Sequence, residues 1–268
     1  MLQKLRESDR EAILAYVGAE PEMNLFFIGD VENYGVDSET VELWADVQAG
    51  RWAGLVLRFM DSYCYYSREA CPDMAGTAAF LRGRTVDCIT GKQTLLEQLA
   101  SYFPGWQLEP TYLSRCDAPA AAPLPAGVTL RALTAGDADA LMALYAGIAE
   151  FAVSSGTPEK REKEKQTFCS GLAAGSIGVG AFADGQLVSA VTSSADNSRS
   201  AMLIGMATRP GWRGRGLAAA VMAQAVRTLL AGGRQCVCLF YDNPAAGRIY
   251  RRLGFAERGA FAMLHPQG

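Results

Sequence analysis

The stretch that decides the fold is TRPGWRGRGLA, residues 208–218, which joins an alternating segment to an amphipathic one. Before it, from Ala201 onward, apolar residues alternate with smaller ones, a pattern typical of a strand. After it, apolar residues recur every fourth position from Leu217 to Leu230, which places them on one face of a helix. The chain therefore passes from a strand through a turn rich in glycine and arginine into a helix.

This turn has the chemistry of an anion site. The first turn of a helix leaves backbone N–H groups unbonded and carries partial positive charge. Gly214 and Gly216 let a ligand approach the main chain closely. Arg213 and Arg215 add charge and forked donors. These features suit a phosphate or pyrophosphate, and the alternative is a plain strand-to-helix turn with solvated arginines.

A second informative stretch is NPAAGRIYRRLGF, residues 243–255. Asn243 is a good N-cap, and Pro244 suits the first helical position. Gly254 is the expected left-handed stop, so a helix of about ten residues is predicted. Helical spacing places Tyr250 on the inward face, where its hydroxyl needs a partner, and the alternative is an ordinary core tyrosine.

Together the two stretches resemble the GNAT superfamily of N-acetyltransferases. The cofactor motif of that family, Arg/Gln-x-x-Gly-x-Gly/Ala, is filled here by Arg213, Gly216 and Ala218. Its following motif, Asn-x-x-Ala-x-x-x-Tyr-x-x-x-Gly-Phe, is filled at every position by residues 243–255. The resemblance covers about 128–268. It implies an α+β fold there, with a central mixed, mostly antiparallel sheet flanked by helices.

The resemblance also implies an activity. Such a protein moves an acetyl group from acetyl-CoA, or another acyl group from its coenzyme A thioester, to a primary amine by direct attack in a ternary complex. The loop amides would hold the pyrophosphate, the strand before the loop and Asn243 would contact the pantetheine, and Tyr250 would protonate the leaving thiolate. The residues that the resemblance assigns to the cofactor are Met206, Ala207, Thr208, Arg213, Gly214, Arg215, Gly216, Leu217, Ala218, Asn243 and Ala246.

A segment rich in proline and alanine divides the chain. Residues 117–127 hold three prolines and five alanines, which favours an extended spacer between domains at 1–116 and 128–268. Residues 1–127 hold 10 Lys and Arg against 18 Asp and Glu, whereas 128–268 hold 15 against 10. Both halves open with a Leu-Arg pair, an aspartate, a helical stretch and a strand hairpin, which indicates a weak internal duplication.

The first half is therefore predicted to be a smaller, degenerate GNAT-like α+β domain. Its candidate third strand, 85–90, runs into Gly91 and a helix without the paired glycines of the second half. Nine acids and no Lys or Arg lie between Glu11 and Gly50. Among them, Asp30 and Glu32 are candidate contacts for a cationic acceptor, and the alternative is a solvated acidic face.

Of two other charged features, Glu150 admits a functional and a plain interpretation, and the run 159–165 is given the plain one. Glu150 follows the first helix of the second half, where GNAT proteins build the acceptor wall, so it is a candidate general base or else a solvated glutamate. The charged run 159–165 is interpreted as a solvated helix face with i,i+4 pairs.

Composition excludes several classes of function. The net charge of −3 disfavours nucleic acid as a partner, and no apolar run approaches the ~18 residues that cross a membrane. The start of the chain has no apolar h-region, and seven cysteines without a Cys-x-x-Cys pair suggest reduced thiols in the cytoplasm. His265 is the only histidine, which excludes multi-histidine metal sites and disfavours a histidine-activated nucleophile.

Three functions can be compared with these features of the sequence. The first is the acyl-CoA-dependent N-acetyltransferase with a small amine as acceptor. The second is a non-catalytic acyl-CoA-binding sensor or regulatory protein, against which the intact Tyr250 argues because a binder needs no proton donor. The third, a nucleotide phosphotransferase, is disfavoured because the chain lacks the Gly-x-x-x-x-Gly-Lys-Ser/Thr motif.

Overall fold

The computed structural model describes residues 2–69, 72–151 and 157–267, without the side chain of Glu150. Its strands are β1 Leu2–Lys4, β2 Val41–Gln48, β3 Arg51–Phe59, β4 Ser62–Ser67, β5 Cys88–Lys92, β6 Trp106–Cys116, β7 Val128–Ala132, β8 Gly178–Ala183, β9 Gln186–Ser194, β10 Ser200–Thr208, β11 Cys236–Tyr241 and β12 Ala256–Pro266. Its helices are α1 Arg10–Val17, α2 Leu25–Tyr34, α3 Met74–Arg82, α4 Gln93–Ala100, α5 Ala138–Ala146, α6 Pro158–Ala173, α7 Leu217–Ala231 and α8 Pro244–Arg252.

One order of elements occurs twice along the chain. The order is strand, two helices, three strands, helix, strand, helix, strand, first from β1 to β6 and then from β7 to β12. The predicted mixed α+β fold, with helices flanking a sheet, is confirmed. None of the described helices is long and apolar enough to span a membrane.

The chain divides into two compact units, and the first, unit 1, comprises 1–114, 240–242 and 257–268. Its strands lie in the order β1-β2-β3-β4-β5-β12-β6. β4 and β5 run parallel, whereas β12 runs antiparallel to β5. Helices α1 and α2 pack on one face of this sheet and α3 and α4 on the other, so each face has its own apolar core.

Unit 2 comprises 115–239 and 243–256. Its strands lie in the order β7-β8-β9-β10-β11, antiparallel except for the parallel pair β10 and β11. Helix α5 packs in a core that includes Tyr145, Phe182 and Leu187. Helix α7 contacts β8, β9 and β10, and its Val221, Met222 and Val226 are buried.

These boundaries differ from the predicted domains in two places. The segment 117–127 is part of unit 2, because the Ala120 N–H donates to the Leu253 carbonyl over 2.9 Å. The last strand, β12, is part of unit 1 rather than of the second domain, because it pairs with β5 and buries Ala262 and Leu264 completely in the core of unit 1. Sequence pattern indicates a strand but not the sheet that it joins.

Candidate functional site

The N-terminus of α7 is open to a ligand. Gly216 is the N-cap residue, has a left-handed φ of 81°, and offers no side chain to the first-turn N–H groups. Gly214 has a φ of 76°, and no atom lies within 4 Å of where its Cβ would be. The nearest atom to a Cβ on Gly216 would be the Pro123 carbonyl oxygen, 3.9 Å away. An anion therefore has room to reach these N–H groups.

Two arginines lie on the same turn, and both are exposed. The Arg213 Nε donates to the Thr208 carbonyl over 3.2 Å, which holds its side chain along the end of β10. The Arg215 guanidinium lies over the Trp212 ring, 4.7 Å from its centroid. Leu217, in contrast, is buried and Ala218 half-buried, so both anchor the first turn of α7 to the unit.

β10 and β11 separate beside this turn. Their parallel pairing runs from Ser200 opposite Cys236 to Met202 opposite Cys238, although β10 continues to Thr208. Met206, Ala207 and Thr208, the residues predicted to contact pantetheine, lie in the part of β10 beyond that pairing. The helices that follow the two strands, α7 and α8, both begin at the end where the strands diverge.

A bulge interrupts β10 on its other side. The register with β9 shifts between Ile204 and Ala207, so Gly205 and Met206 have no partner in the β9 register. Gly205 has a φ of 64°, and its carbonyl accepts a hydrogen bond of 3.2 Å from the Tyr145 hydroxyl. A Cβ on Gly205 would clash with that hydroxyl, so the bulge requires glycine.

Helix α8 begins and ends as predicted. The Asn243 Oδ1 accepts from the Ala245 N–H over 2.8 Å, Pro244 is the first helical residue, and Gly254 has a φ of 96°. Tyr250 is half-buried and packs edge-on against Phe255, with ring centroids 6.2 Å apart. Ala246 is half-buried near the start of the helix. The roles assigned to these side chains stay predictions.

A cavity of about 240 Å³ opens onto the bulge of β10. Its wall includes Gly205, the aromatic rings of Tyr145, Phe151 and Phe168, and Glu164 of α6. Glu164 is absent from the predicted site residues because the run 159–165 has the composition of a solvated helix face. A signal was present, since Glu164 precedes Phe168 by four residues and Leu172 by eight, and these positions share one face of a helix.

The other predicted acids lie elsewhere. The side chain of Glu150 is outside the described residues. Asp30 and Glu32 are half-buried in α2 of unit 1, and the Glu32 carbonyl accepts a 3.3 Å hydrogen bond from Arg10. Burial raises the pKa of Asp30 from 3.8 to about 7. The residues that line the cavity beside β10 all belong to unit 2.

Unit 1 repeats the topology without the open site. At the start of α3, the Asp73 side chain accepts from the Gly76 N–H over 2.8 Å and so occupies the anion position itself. β4 and β5 stay paired up to Tyr65 opposite Gly91. A Cβ on Gly91 would clash with the Tyr65 carbonyl, so no gap separates these strands.

One sequence assignment in the first half was wrong. The strand predicted at 85–90 is β5, which corresponds in order to β11 of unit 2. The strand that corresponds to β10 is β4, and it was not predicted. β4 reads SYCYYS, whose polar and aromatic residues gave a weaker strand signal than the neighbouring hairpin.

Comparison with known proteins finds one matching family model and several solved structures of similar fold. Residues 141–255 match the family model described as Acetyltransferase (GNAT) family. A tandem GNAT protein from the clavulanic acid biosynthesis pathway is 14% identical, with a TM-score of 0.60 over 98% of this chain and 97% of that one. A Drosophila protein is 14% identical, with a TM-score of 0.69 over 98% of each chain. No curated protein matches the sequence.

A GNAT protein from Sphaerobacter thermophilus is 17% identical, with a TM-score of 0.66 over 98% of this chain and 94% of that one. At these identities the solved structures establish the fold, and the family model supports acyl transfer in general for the residues that it matches. The chain therefore has the fold of tandem GNAT proteins, and its residues 141–255 match the model of the GNAT acetyltransferase family.

Proposed function

We propose that the chain is an N-acetyltransferase that moves an acetyl group from acetyl-CoA to a small primary amine by direct attack in a ternary complex. The observation that carries the proposal is the gap between β10 and β11, which opens beside the uncapped first turn of α7. The cavity at the β10 bulge would hold the acceptor separately from the donor. The sequence has no Cys-x-x-Cys pair, which favours reduced thiols and supports a cytoplasmic location for this activity.

The residues present fit an acyl-CoA donor. The loop from Arg213 to Ala218 would hold the pyrophosphate through backbone N–H groups, with the arginines adding charge. The unpaired edge of β10 at 206–208 would hydrogen-bond the pantetheine, and Asn243 and Ala246 would lie against it. The donor supplies the thioester, and this chain supplies alignment and proton transfer.

The proposed chemistry needs no acyl-enzyme. The neutral amine nitrogen attacks the thioester carbon, so that a C–N bond forms and the C–S bond breaks. Backbone N–H groups at the bulge, where Gly205 and Met206 leave the β9 register, would stabilise the developing oxyanion. The Tyr250 hydroxyl would protonate the thiolate, and the proton of the new amide nitrogen would pass to solvent.

The donor site is tested by isothermal titration with coenzyme A. Gly216→Val should abolish measurable binding, because the φ of 81° strains a β-branched residue and its side chain blocks the pyrophosphate. Gly211→Val is the matched control, since a Cβ at Gly211 meets no atom within 4 Å and its φ is not left-handed. Parent protein should bind one coenzyme A per chain, because Asp73 fills the corresponding position in unit 1.

Turnover is tested by free-thiol release from acetyl-CoA with a panel of amines. Thiol release that depends on the presence of the amine supports the enzymatic function. Coenzyme A binding without release by any amine supports the non-catalytic sensor instead. Equal affinity of a folded Gly216→Val variant and the parent would contradict the assignment of the loop.

A further inference from the structure

The described wall of the acceptor cavity of unit 2 is aromatic and aliphatic in large part, with several hydroxyl groups and one charged side chain. Three aromatic rings and several aliphatic side chains form much of its wall, and Glu164 is the only charged residue among its described lining. From this lining we infer that the acceptor is a primary amine on a compact apolar body, aryl or alkyl. It binds as an ammonium ion paired with the Glu164 carboxylate, and it loses one proton to solvent before its nitrogen attacks the thioester. The inference rests on the proposed function and adds the chemical class of the acceptor.

The aromatic part of the wall is held in place by packing. Tyr145 and Phe151 stack with ring centroids 4.5 Å apart and an interplanar angle of 19°. Phe168 packs against the same core, which is built around α5. A rigid wall of rings and aliphatic groups stabilises an apolar ligand by burying its surface, and it offers such a ligand stacking partners.

The hydroxyl groups of the wall are largely engaged with the protein itself. The Tyr145 hydroxyl donates to the Gly205 carbonyl, and Thr192 Oγ1 donates to the Ile204 carbonyl over 3.4 Å. Ser176 and Ser193 both donate to the Asp196 carboxylate, over 3.1 and 2.9 Å. These groups stabilise the bulge and the β9–β10 loop, so they do not form a second polar subsite for the acceptor.

Glu164 is placed to bind a cation from the ligand. It is half-buried, and it forms no ion pair within 4 Å with any residue that the structure describes. The neighbouring Lys165 is paired with Asp139 over 2.6 Å and does not neutralise it. Burial raises the pKa of the Tyr145 hydroxyl to about 12, and the charge of Glu164 also raises it. The carboxylate and the bulge of β10 therefore border one cavity.

This arrangement also predicts which acceptors are rejected. An amino acid or another amine that carries a carboxylate would place a second anion in a cavity whose only described charge is negative, and like charges repel. A polyamine would leave at least one ammonium group against aromatic and aliphatic walls, where a charge loses its hydration. Both classes should bind more weakly than a monoamine of the same length.

The experiment is a titration series by calorimetry, on the protein with and without saturating coenzyme A. The ligands are 2-phenylethylamine, its neutral analogue 2-phenylethanol, phenylalanine and spermidine. We expect 2-phenylethylamine to bind at least about tenfold more tightly than each of the others, because a charge-assisted hydrogen bond is worth that much. Equal binding of the amine and the alcohol would overturn the inference.

Matched variants on α6 test the role of Glu164 itself. Glu164→Gln should remove the advantage of the amine over the alcohol, and Glu164→Asp should restore part of it. Glu162→Gln, the same change at an exposed position of the same helix, should leave the amine affinity unchanged. If Glu164→Gln and Glu162→Gln have the same affinity for the amine, the Glu164 carboxylate does not bind the acceptor. Failure of coenzyme A to bind would instead contradict the proposed function, because the amine titration on the free protein does not depend on it.

Discussion

At the scale of single residues, two half-buried side chains carry predictions that depend on a proton. Tyr250 is half-buried at the end of α8, where its ring packs on Phe255. Asp30 is half-buried in α2, where burial disfavours its charged form and raises its pKa. The first would give up a proton during catalysis, whereas the second holds its proton more tightly because the chain has folded.

Removing the Tyr250 hydroxyl should slow turnover more than it weakens binding. Tyr250→Phe keeps the ring and its packing, so the fold and the KM for acetyl-CoA should change little. Because proton donation contributes ~10²–10⁴-fold, kcat should decrease by that order. Steady-state thiol release measures both parameters, with the exposed Tyr34→Phe as control. A variant that keeps nearly full kcat would exclude Tyr250 from the chemistry.

Asp30 should make the stability of the protein depend on pH. Its folded-state pKa of about 7 exceeds the ordinary 3.8, so the folded state binds this proton more tightly than the unfolded chain. The contribution of Asp30 to stability is therefore fully present below pH about 4 and is lost as the pH rises to about 7.

Asp30→Asn keeps the shape of the side chain and removes the titration. The variant should be more stable than the parent at pH 8, by roughly 1 to 4 kcal/mol, and similar to it at pH 4. Urea unfolding at the two pH values measures the difference. The exposed Glu11→Gln in α1 should show no such dependence, and a constant difference for Asp30→Asn across pH would contradict the prediction.

At the scale of elements, the two units place the same strands in different relations. β10 and β11 separate after three paired positions, whereas β4 and β5 remain paired where the equivalent gap would open. The helix that follows β10 has an open N-terminus, and the helix that follows β4 is capped by its own aspartate. One topology therefore yields an open strand-to-helix turn in unit 2 and a closed one in unit 1.

The strand β12 gives an element-scale prediction about unit 1. Leu264 is completely buried in a core with Ile89 and Leu96, whereas the adjacent Met263 is 37% exposed. Leu264→Ala should lower the free energy of unfolding by about 2–5 kcal/mol, because it leaves a cavity in that core. Met263→Ala is the matched control and should cost much less. Urea unfolding measures both, and equal losses would contradict the assignment of β12 to unit 1.

At the scale of the whole molecule, charge is divided along the chain. Residues 1–127 hold an excess of eight acids, and 128–268 hold an excess of five bases. The basic half carries the loop proposed to bind the anionic donor. An acidic surface attracts a cationic acceptor at long range, and salt weakens this attraction beyond ~10 Å at 0.1 M.

The acids of α2 test this attraction. Converting Asp30 and Glu32 together to their amides should lower kcat/KM for the best amine, and the loss should shrink at high salt because screening already removes the attraction. The assay is thiol release at two salt concentrations and at pH about 8.5, above the pKa of Asp30, with the parent protein as reference. If the double variant and the parent have the same kcat/KM at both salt concentrations, the acidic stretch serves only as scaffold.

The sequence by itself determined the parts of the protein that depend on local chemistry. The turn at 213–218 and the bounds of α8 could be predicted because glycine conformation, N-capping and helical periodicity act within a few residues. The duplicated order of elements and the resemblance of the second half to the GNAT family followed from the same local patterns.

Tertiary structure alone decided which distant residues meet. Only the packing of α5 and α6 brings Glu164 beside Tyr145 and the bulge of β10, since a helix pattern does not tell which exposed acid faces a cavity. Only strand pairing assigns β12 to unit 1 and keeps β4 against β5, because every strand offers the same backbone hydrogen bonds to any neighbour. The choice among those neighbours depends on side-chain packing across the whole sheet, and local sequence does not encode it.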